Sequence, residues 1–300
     1  MDKPPRSRLS QLLVCAALQL FAFSANGATY YLSNSGDDTA DGLSPEHNRN
    51  SRPFATLAAL QNINLFGGDN ILLACGQKFA GNVNLTIRKN GLVRISGYGN
   101  CTNKNRPTID GRFKLAPIVQ NPEKHSVWSS AKDVTQVFLR DQPLPRARYP
   151  IDRYLILSAG TVASDLRLPP DLRWNTLDLL GATVHARTHE WWVEHREIID
   201  KDGTFATRLR YSLRPKAGVY FTGKSWMLDG NPAWAYDAHY RLLTVAGTLN
   251  EQLSYTTSLP LLRVVGRGSL EVDGINFFAA GEDAIRVAVD GAVRIENIGS

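Results

Sequence analysis

The chain has 300 residues, with 34 Lys+Arg against 28 Asp+Glu for a formal charge of +6, and only three cysteines. So slight a basic excess, with no dense basic stripe or recognised module, excludes a nucleic-acid-binding protein. With so few cysteines and no histidine at finger spacing, a structural zinc cluster is also excluded.

Taken in chain order, the first residues set the compartment. Lys3, Arg6 and Arg8 make a basic start, Leu9 to Phe23 is mostly apolar, and Ser24 to Ala28 is a run of small residues. Residues 1–27 therefore read as a signal peptide, cleaved after Gly27 so that Ala25 and Gly27 occupy the small-residue positions. The apolar run is shorter than the roughly 20 residues a bilayer-spanning helix needs, so no stable membrane anchor is expected after cleavage. Lipid attachment through Cys15 is disfavoured by the bulky Val14 before it. The expected location is secreted or periplasmic. Losing the leader's three basic residues and one acid leaves +4, and an acidic glycan is a better-fitting anionic partner for such a chain than nucleic acid.

The mature chain is written in short segments rich in Val, Ile, Leu and Thr and bounded by Gly, Asn, Asp or Pro, which is how strands read. The cap region contains Asp37, Asp38 and Asp41, oxygen donors at close spacing that suit calcium, the one cofactor the sequence suggests; Asx turns are the alternative. Phe54, Leu57 and Leu60 recur at helical spacing and predict one short helix. Strand-like texture follows in Asn70–Ala74, Val83–Ile87 and Leu92–Ile95. Cys75 and Cys101 remain in a compartment where disulfides persist, and a bridge between them is expected; two separate buried thiols are the alternative.

From about residue 116 to 259 the pattern changes to hairpin-like segments, such as Val134–Leu139 before Asp141-Gln142, and Tyr236 to Leu243. This region reads as a β-rich insertion holding most of the tryptophans, including Trp174, Trp191, Trp192, Trp226 and Trp234. From 260 to 300, Leu270–Ile275 and Val293–Ile298 superpose at a spacing of 23 residues, with another alternating segment, Ala284–Val289, between them. Such a spacing is what a solenoid coil produces, each coil covering the apolar face of the next. An antiparallel meander with coincidental spacing is the alternative.

Three stretches carry a resemblance: Thr29 to Asp38 with Asp41-Gly42-Leu43-Ser44-Pro45 and Pro53-Phe54-Ala55-Thr56-Leu57; then Gly67 to Leu73 and Gly76 to Asn82; then Pro107-Thr108-Ile109-Asp110-Gly111. Together they resemble the N-terminal cap and first coils of exported right-handed parallel β-helix proteins of the pectin lyase-like superfamily. The resemblance covers about the first third of the mature chain and its last fragment. It implies an all-β, right-handed parallel β-helix with a short N-terminal capping helix, an inserted β-rich side domain and C-terminal coils that read as truncated. The implied division is 1–27 leader, 28–115 cap and first coils, 116–259 side domain and 260–300 further coils. Leu144 to Pro150, Trp191 and Trp234 to Asp237 also look like an insertion found in a subset of these proteins. That subset usually has Gly-Glu before the equivalent of Trp234; here Pro232-Ala233 stands in that place, so a role for that acid does not transfer.

Members of the superfamily are mostly polysaccharide lyases, glycoside hydrolases or uronate epimerases, and fold alone does not choose among them. A lyase needs a uronate carboxylate neutralised and a base at C5; a hydrolase needs two carboxyl groups. Glu282 and Asp283, with Asp273 and Glu271, form the best carboxyl cluster and are the candidate catalytic residues, although turn chemistry also explains the aspartates. Arg146 and Arg148 alternate, so on a strand they share a face and are suited to hold uronate carboxylates; pairing with Asp141 or Asp152 is the structural alternative. Trp191 and Trp192 are expected on opposite strand faces, one packed and one free to stack on a sugar. His185, His189 and His195, with Glu190 and Glu194, lack the helical spacing of a His-Glu-x-x-His metal site and fit a surface hairpin better. The expected function is action on an extracellular glycan, uronate-containing or neutral, as lyase or hydrolase, against a non-catalytic glycan-binding or adhesive scaffold. With few coils readable and no carboxyl pair rising above its turn role, residues 1–300 are expected to be inactive alone.

Overall fold

The structure, a computed structural model, describes residues 27–48, 51–61, 63–115, 117–120, 125–129, 133–157, 178–199, 206–229, 232–237, 241–246 and 252–299; the leader, Cys15 and Trp174 lie outside them. The described residues are almost entirely β. Short apolar runs broken by Gly and Asn form strands because alternate residues can face a core while the breakers turn the chain.

After β1 (Thr29–Leu32), one helical turn, α1 (Leu57–Leu60), buries Leu57 and Leu60, and Phe54 just before it bridges to Leu32. The chain continues through β2 (Asn64–Leu65), β3 (Asn70–Ala74), β4 (Lys78–Ala80), β5 (Val83–Ile87), β6 (Leu92–Tyr98) and β7 (Thr108–Asp110). Consecutive strands do not pair. Instead β3 lies parallel to β1 and β6, β5 to β2, and β7 to β4, so the chain visits three parallel sheets in rotation. Cys75 and Cys101, on either side of β6, are disulfide-bonded with Cα atoms 5.2 Å apart.

At Gly111 the chain leaves this arrangement. It forms β8 (Phe113–Lys114), β9 (Pro117–Gln120), β10 (His125–Ser129), β11 (Gln136–Leu139) and β12 (Gln142–Pro143). Then come β13 (Arg148–Tyr149), β14 (Leu155–Ile156), β15 (Thr183–His189), β16 (Trp192–Glu197) and β17 (Gly218–Thr222). A short 3-10 turn at Ser225–Met227 leads to β18 (Ala233–Asp237), β19 (Leu242–Ala246) and β20 (Leu253–Thr256). Among the described residues the strands of this stretch pair antiparallel, in sheets ordered β18-β19-β10-β9, β12-β11-β20-β8 and β13-β17-β15-β16, with β14 also on β17 and one isolated parallel bridge between Arg146 and Trp234.

The rotation then resumes where it stopped. β21 (Leu262–Gly266) pairs in parallel with β5, β22 (Ser269–Asp273) with β6 and β23 (Asn276–Phe278) with β7. β24 (Ile285–Val289) and β25 (Val293–Glu296) add to β21 and β22. The register places Ile71 beside Ile95, Ile95 beside Val272, and Val272 beside Ile295. Leu85 and Val264 form a matching row in the second sheet, as do Phe79, Ile109 and Phe277 in the third. Apart from Ile295, which is exposed at the end of its row, these residues share one buried core with Leu57 and Leu60. Each fully buried Leu, Ile or Phe contributes about 1.5–3 kcal/mol.

Candidate functional site

The sheet β13-β17-β15-β16 presents the densest set of chemically active side chains. Along β15 Val184, Ala186 and Thr188 are buried, while Thr183, His185, Arg187 and His189 face outward, as strand alternation demands. Pairing carries this outer face sideways: His185 stands opposite Tyr220 on β17 and His195 on β16. The His185 and Tyr220 rings stack with centroids 4.4 Å apart and planes 1° from parallel, and the His195 ring lies 6.0 Å beyond. Nε2 of His185 and the Thr222 hydroxyl share a 3.0 Å hydrogen bond.

Both arginines singled out in the sequence reach this face. β13 sets Arg148 opposite Thr222, and its guanidinium lies 4.0 Å from the centroid of Tyr220 while donating to the carbonyls of Pro150 at 2.9 Å and Arg153 at 2.8 Å. Arg146 lies over the buried Trp234 ring at 5.3 Å, and that indole donates to the Leu144 carbonyl at 3.1 Å. Gly223 backs the guanidinium: a Cβ there would meet Arg146 Nη2 at 3.6 Å. Neither arginine has a carboxylate partner among the described residues, and Asp141 pairs with Arg112 instead.

The electrostatics follow from this crowding of cations. Burial, then electrostatic repulsion from Arg146, His195 and Arg148, lowers the pKa of His185 to about 4, so the imidazole is neutral at neutral pH. Burial alone lowers the pKa of Arg146, which nonetheless keeps an exposed surface.

The hairpin joining β15 and β16 ends this face. Trp191 sits in the turn and is 79% exposed, its ring stacked on His189 at 5.5 Å, with Tyr211 edge-on to His189 at 5.3 Å. Trp192, the first residue of β16, is 42% exposed, so neither tryptophan packs inside as strand alternation had suggested. The reason is the turn at Trp191 together with a register shift between Arg187 and His189. Beside them is a cleft of about 520 Å³ whose lining includes Tyr154, Arg187 and Lys216. Thr188 also belongs to it, and its buried hydroxyl has no hydrogen-bond partner among the described residues. Glu194 faces inward: it accepts from Arg196 Nη2 at 2.9 Å and from the backbone N–H groups of Arg210 and Tyr211.

The carboxylates expected to do chemistry are placed apart. Glu282 and Asp283 precede β24 and both pair with Arg286. Glu271 and Asp273 lie on β22, where Glu271 pairs with Arg94 and Arg294 and Asp273 accepts from Asn297 Nδ2. Asp37, Asp38 and Asp41 do not fit a calcium site. Asp37 accepts from the backbone N–H and hydroxyl of Thr39, Asp38 from Ala55, Thr56 and the Thr56 hydroxyl, and Asp41 from Leu43 and Ser51. The hydrogen bonds from Thr39 lower the pKa of Asp37, and the Leu43 N–H does the same for Asp41. No three His, Cys, Asp or Glu side chains converge as a metal site among the described residues.

Tyr220, Tyr154, Arg187, Arg214 and Lys216 were not singled out in the sequence. The signal available was the alternation Thr183, His185, Arg187, His189 around Val184, Ala186 and Thr188, which marks a strand with one polar, cationic face.

No protein-family model matches the chain, and no curated protein does. A solved structure named "Glycoside hydrolase" superposes with a TM-score of 0.56 over 83% of this chain, at 16% sequence identity. At that identity the likeness is one of fold. This chain spans about half the length of that protein, 50%.

Proposed function

We propose that this is an exported, carbohydrate-active protein built on a right-handed parallel β-helix of the pectin lyase-like kind, whose side sheet holds an acidic, uronate-bearing glycan. The strict rotation of strands among three parallel sheets supports the solenoid, and the Cys75–Cys101 bridge is compatible with an oxidising compartment. The fold-level likeness to a structure named as a glycoside hydrolase supports the carbohydrate class.

The observation that carries the reading is the pair Arg146 and Arg148, both beside His185, with no carboxylate partner among the described residues and an aromatic ring under each. Guanidinium forks match carboxylates, and here the rings position the guanidinium groups instead of offering a sugar platform, since Trp234 is buried and Tyr220 stacks on His185. Binding to this face is better supported than catalysis within residues 1–300. Glu282, Asp283 and Glu271 are each engaged by arginine, and Asp273 is hydrogen-bonded to Asn297.

Calorimetric titration of the leader-free protein with polygalacturonate, alginate and a neutral glucan tests this. Binding is expected to the acidic polymers only, to weaken as salt rises, and to fall at least about 10-fold in the double variant Arg146→Gln, Arg148→Gln. Equal binding of acidic and neutral glycans, or an unaffected double variant, overturns the proposal. A parallel depolymerisation assay separates enzyme from binding scaffold.

A further inference from the structure

Two features at the tip of the β15–β16 hairpin have no structural use. Trp191 leaves most of its indole in water, with the His189 ring stacked on it. Exposing so large an apolar surface forgoes the burial that normally holds a tryptophan in place. The cleft next to it is lined by Tyr154, Arg187, His189, Glu190, Arg214 and Lys216, three permanent cations and one carboxylate among them. Arg187 donates to the backbone carbonyl of Glu190, at 2.7 Å from Nη2, and none of the three cations has an ion-pair partner among the described residues. The field in the cleft is therefore positive.

This cleft is continuous with the arginine face. Tyr154 lines it and also packs edge-on against Tyr220 at 5.5 Å, the ring that carries Arg148. On β15 the outward series His185, Arg187, His189 leads from one to the other. At a strand rise of about 3.3 Å per residue, His185 and His189 are about 13 Å apart, with Trp191 beyond.

We infer that the side sheet binds an extended anionic oligosaccharide lengthwise along β15, with carboxylates held at Arg146/Arg148 at one end and by the Arg187, Arg214 and Lys216 cleft at the other, where Trp191 stacks on a sugar ring. The inference rests on the acidic-glycan reading and adds the length, direction and second subsite of the ligand. Cations spaced along a strand, with the open Trp191 indole at its end, match a polymer that repeats a carboxylate and an apolar CH face at every unit.

The test uses a size series of oligouronates, from dimer upward, titrated against the leader-free chain, Trp191→Ala, Arg214→Gln/Lys216→Gln and Arg146→Gln. Affinity is expected to rise with length and level off once both subsites are filled. Trp191→Ala and the Arg214/Lys216 double variant should weaken the longer oligomers about 5- to 10-fold and leave the dimer within about twofold. Arg146→Gln should weaken every length. Because Trp191 is so exposed, its removal should leave the thermal midpoint unchanged, which separates a lost contact from a lost fold. If affinity does not depend on length, or the Trp191 and Arg214/Lys216 variants bind long oligomers normally while Arg146→Gln does not, the second subsite is refuted and the acidic-glycan reading stands. If the unmodified chain binds no acidic oligomer, both fall.

Discussion

His185 shows what a single position inherits from its neighbours. An unfolded histidine titrates near 6.5, whereas here burial and repulsion from Arg146, His195 and Arg148 hold the folded pKa at about 4. Between those values the unfolded chain takes up a proton that the folded chain refuses. The folded state is thus fully favoured above about pH 6.5 and loses stability as pH falls toward 4. With the ring only partly buried, solvent screening leaves this loss at roughly 1–2 kcal/mol. Proton NMR titration should give His185 a midpoint near 4, and Arg146→Gln should move it upward. A wild-type midpoint at the free-histidine value would contradict the cation cluster. Glu194 supplies the contrasting case. Its buried carboxylate satisfies Arg196 and two backbone N–H groups, so Glu194→Ala is expected to cost about 2–4 kcal/mol in urea unfolding. Glu282→Ala, at an exposed pair with Arg286, should cost less than about 1 kcal/mol.

At the scale of elements, legibility followed pattern length. Leu270–Ile275 and Val293–Ile298, matched in the sequence by their spacing, are registered neighbours, Leu270 beside Val293 and Val272 beside Ile295. Arg140 and Asp141 form the turn between β11 and β12, where Gln142 pairs with Leu139, and Tyr236 on β18 pairs antiparallel with Leu243 on β19. The third sheet was not legible, because β4, β7 and β23 have three residues each, too few to show a period. The functional face was half legible. Arg146 and Arg148 declare themselves by alternation, but Tyr220 meets His185 only through pairing of distant strands, which no local pattern encodes. One close approach also hides from sequence: a Cβ on Gly97 would lie 2.5 Å from Cys75 Sγ and 2.9 Å from Cys101 Sγ. Gly97→Ala is therefore expected to lower stability by about 1–3 kcal/mol in the oxidised protein. Reducing the bridge, which closes a 26-residue separation, should cost about 3 kcal/mol. If Gly97→Ala is as destabilising after reduction as before, the contact with the disulfide is not its cause.

At the scale of the whole molecule the question is how the antiparallel stretch stays attached to the parallel sheets that it interrupts. The chain departs at Gly111, whose N–H donates to the Phe278 carbonyl on β23, so the exit point is tied to the rung formed after the return. Arg112 follows, and its side chain is 14% exposed. Its Nε and Nη2 hold Asp110 at the end of β7, while Nη1 donates to the Arg140 carbonyl and to Asp141 in the β11–β12 turn, both at or below 2.7 Å. The guanidinium also lies over Phe278 at 4.7 Å and Phe138 at 5.8 Å, one ring from each part. Hydrogen bonds to Asp110 and Asp141 raise the Arg112 pKa, and the same contact lowers that of Asp141. Removing Arg112 would leave Asp110, 7% exposed, as a buried charge without its counter-ion. Arg112→Ala is accordingly expected to cost about 3–5 kcal/mol, far more than loss of the exposed Arg286 pairs. Arg112→Lys should rescue only part, since one ammonium cannot span Asp110, Asp141 and two rings as a planar fork does. Hydrogen exchange locates the effect. Faster exchange in β11 and β12 with unchanged protection in β3 and β6 would show a junction that opens locally, whereas uniform loss across both parts would mean that Arg112 serves the common core instead.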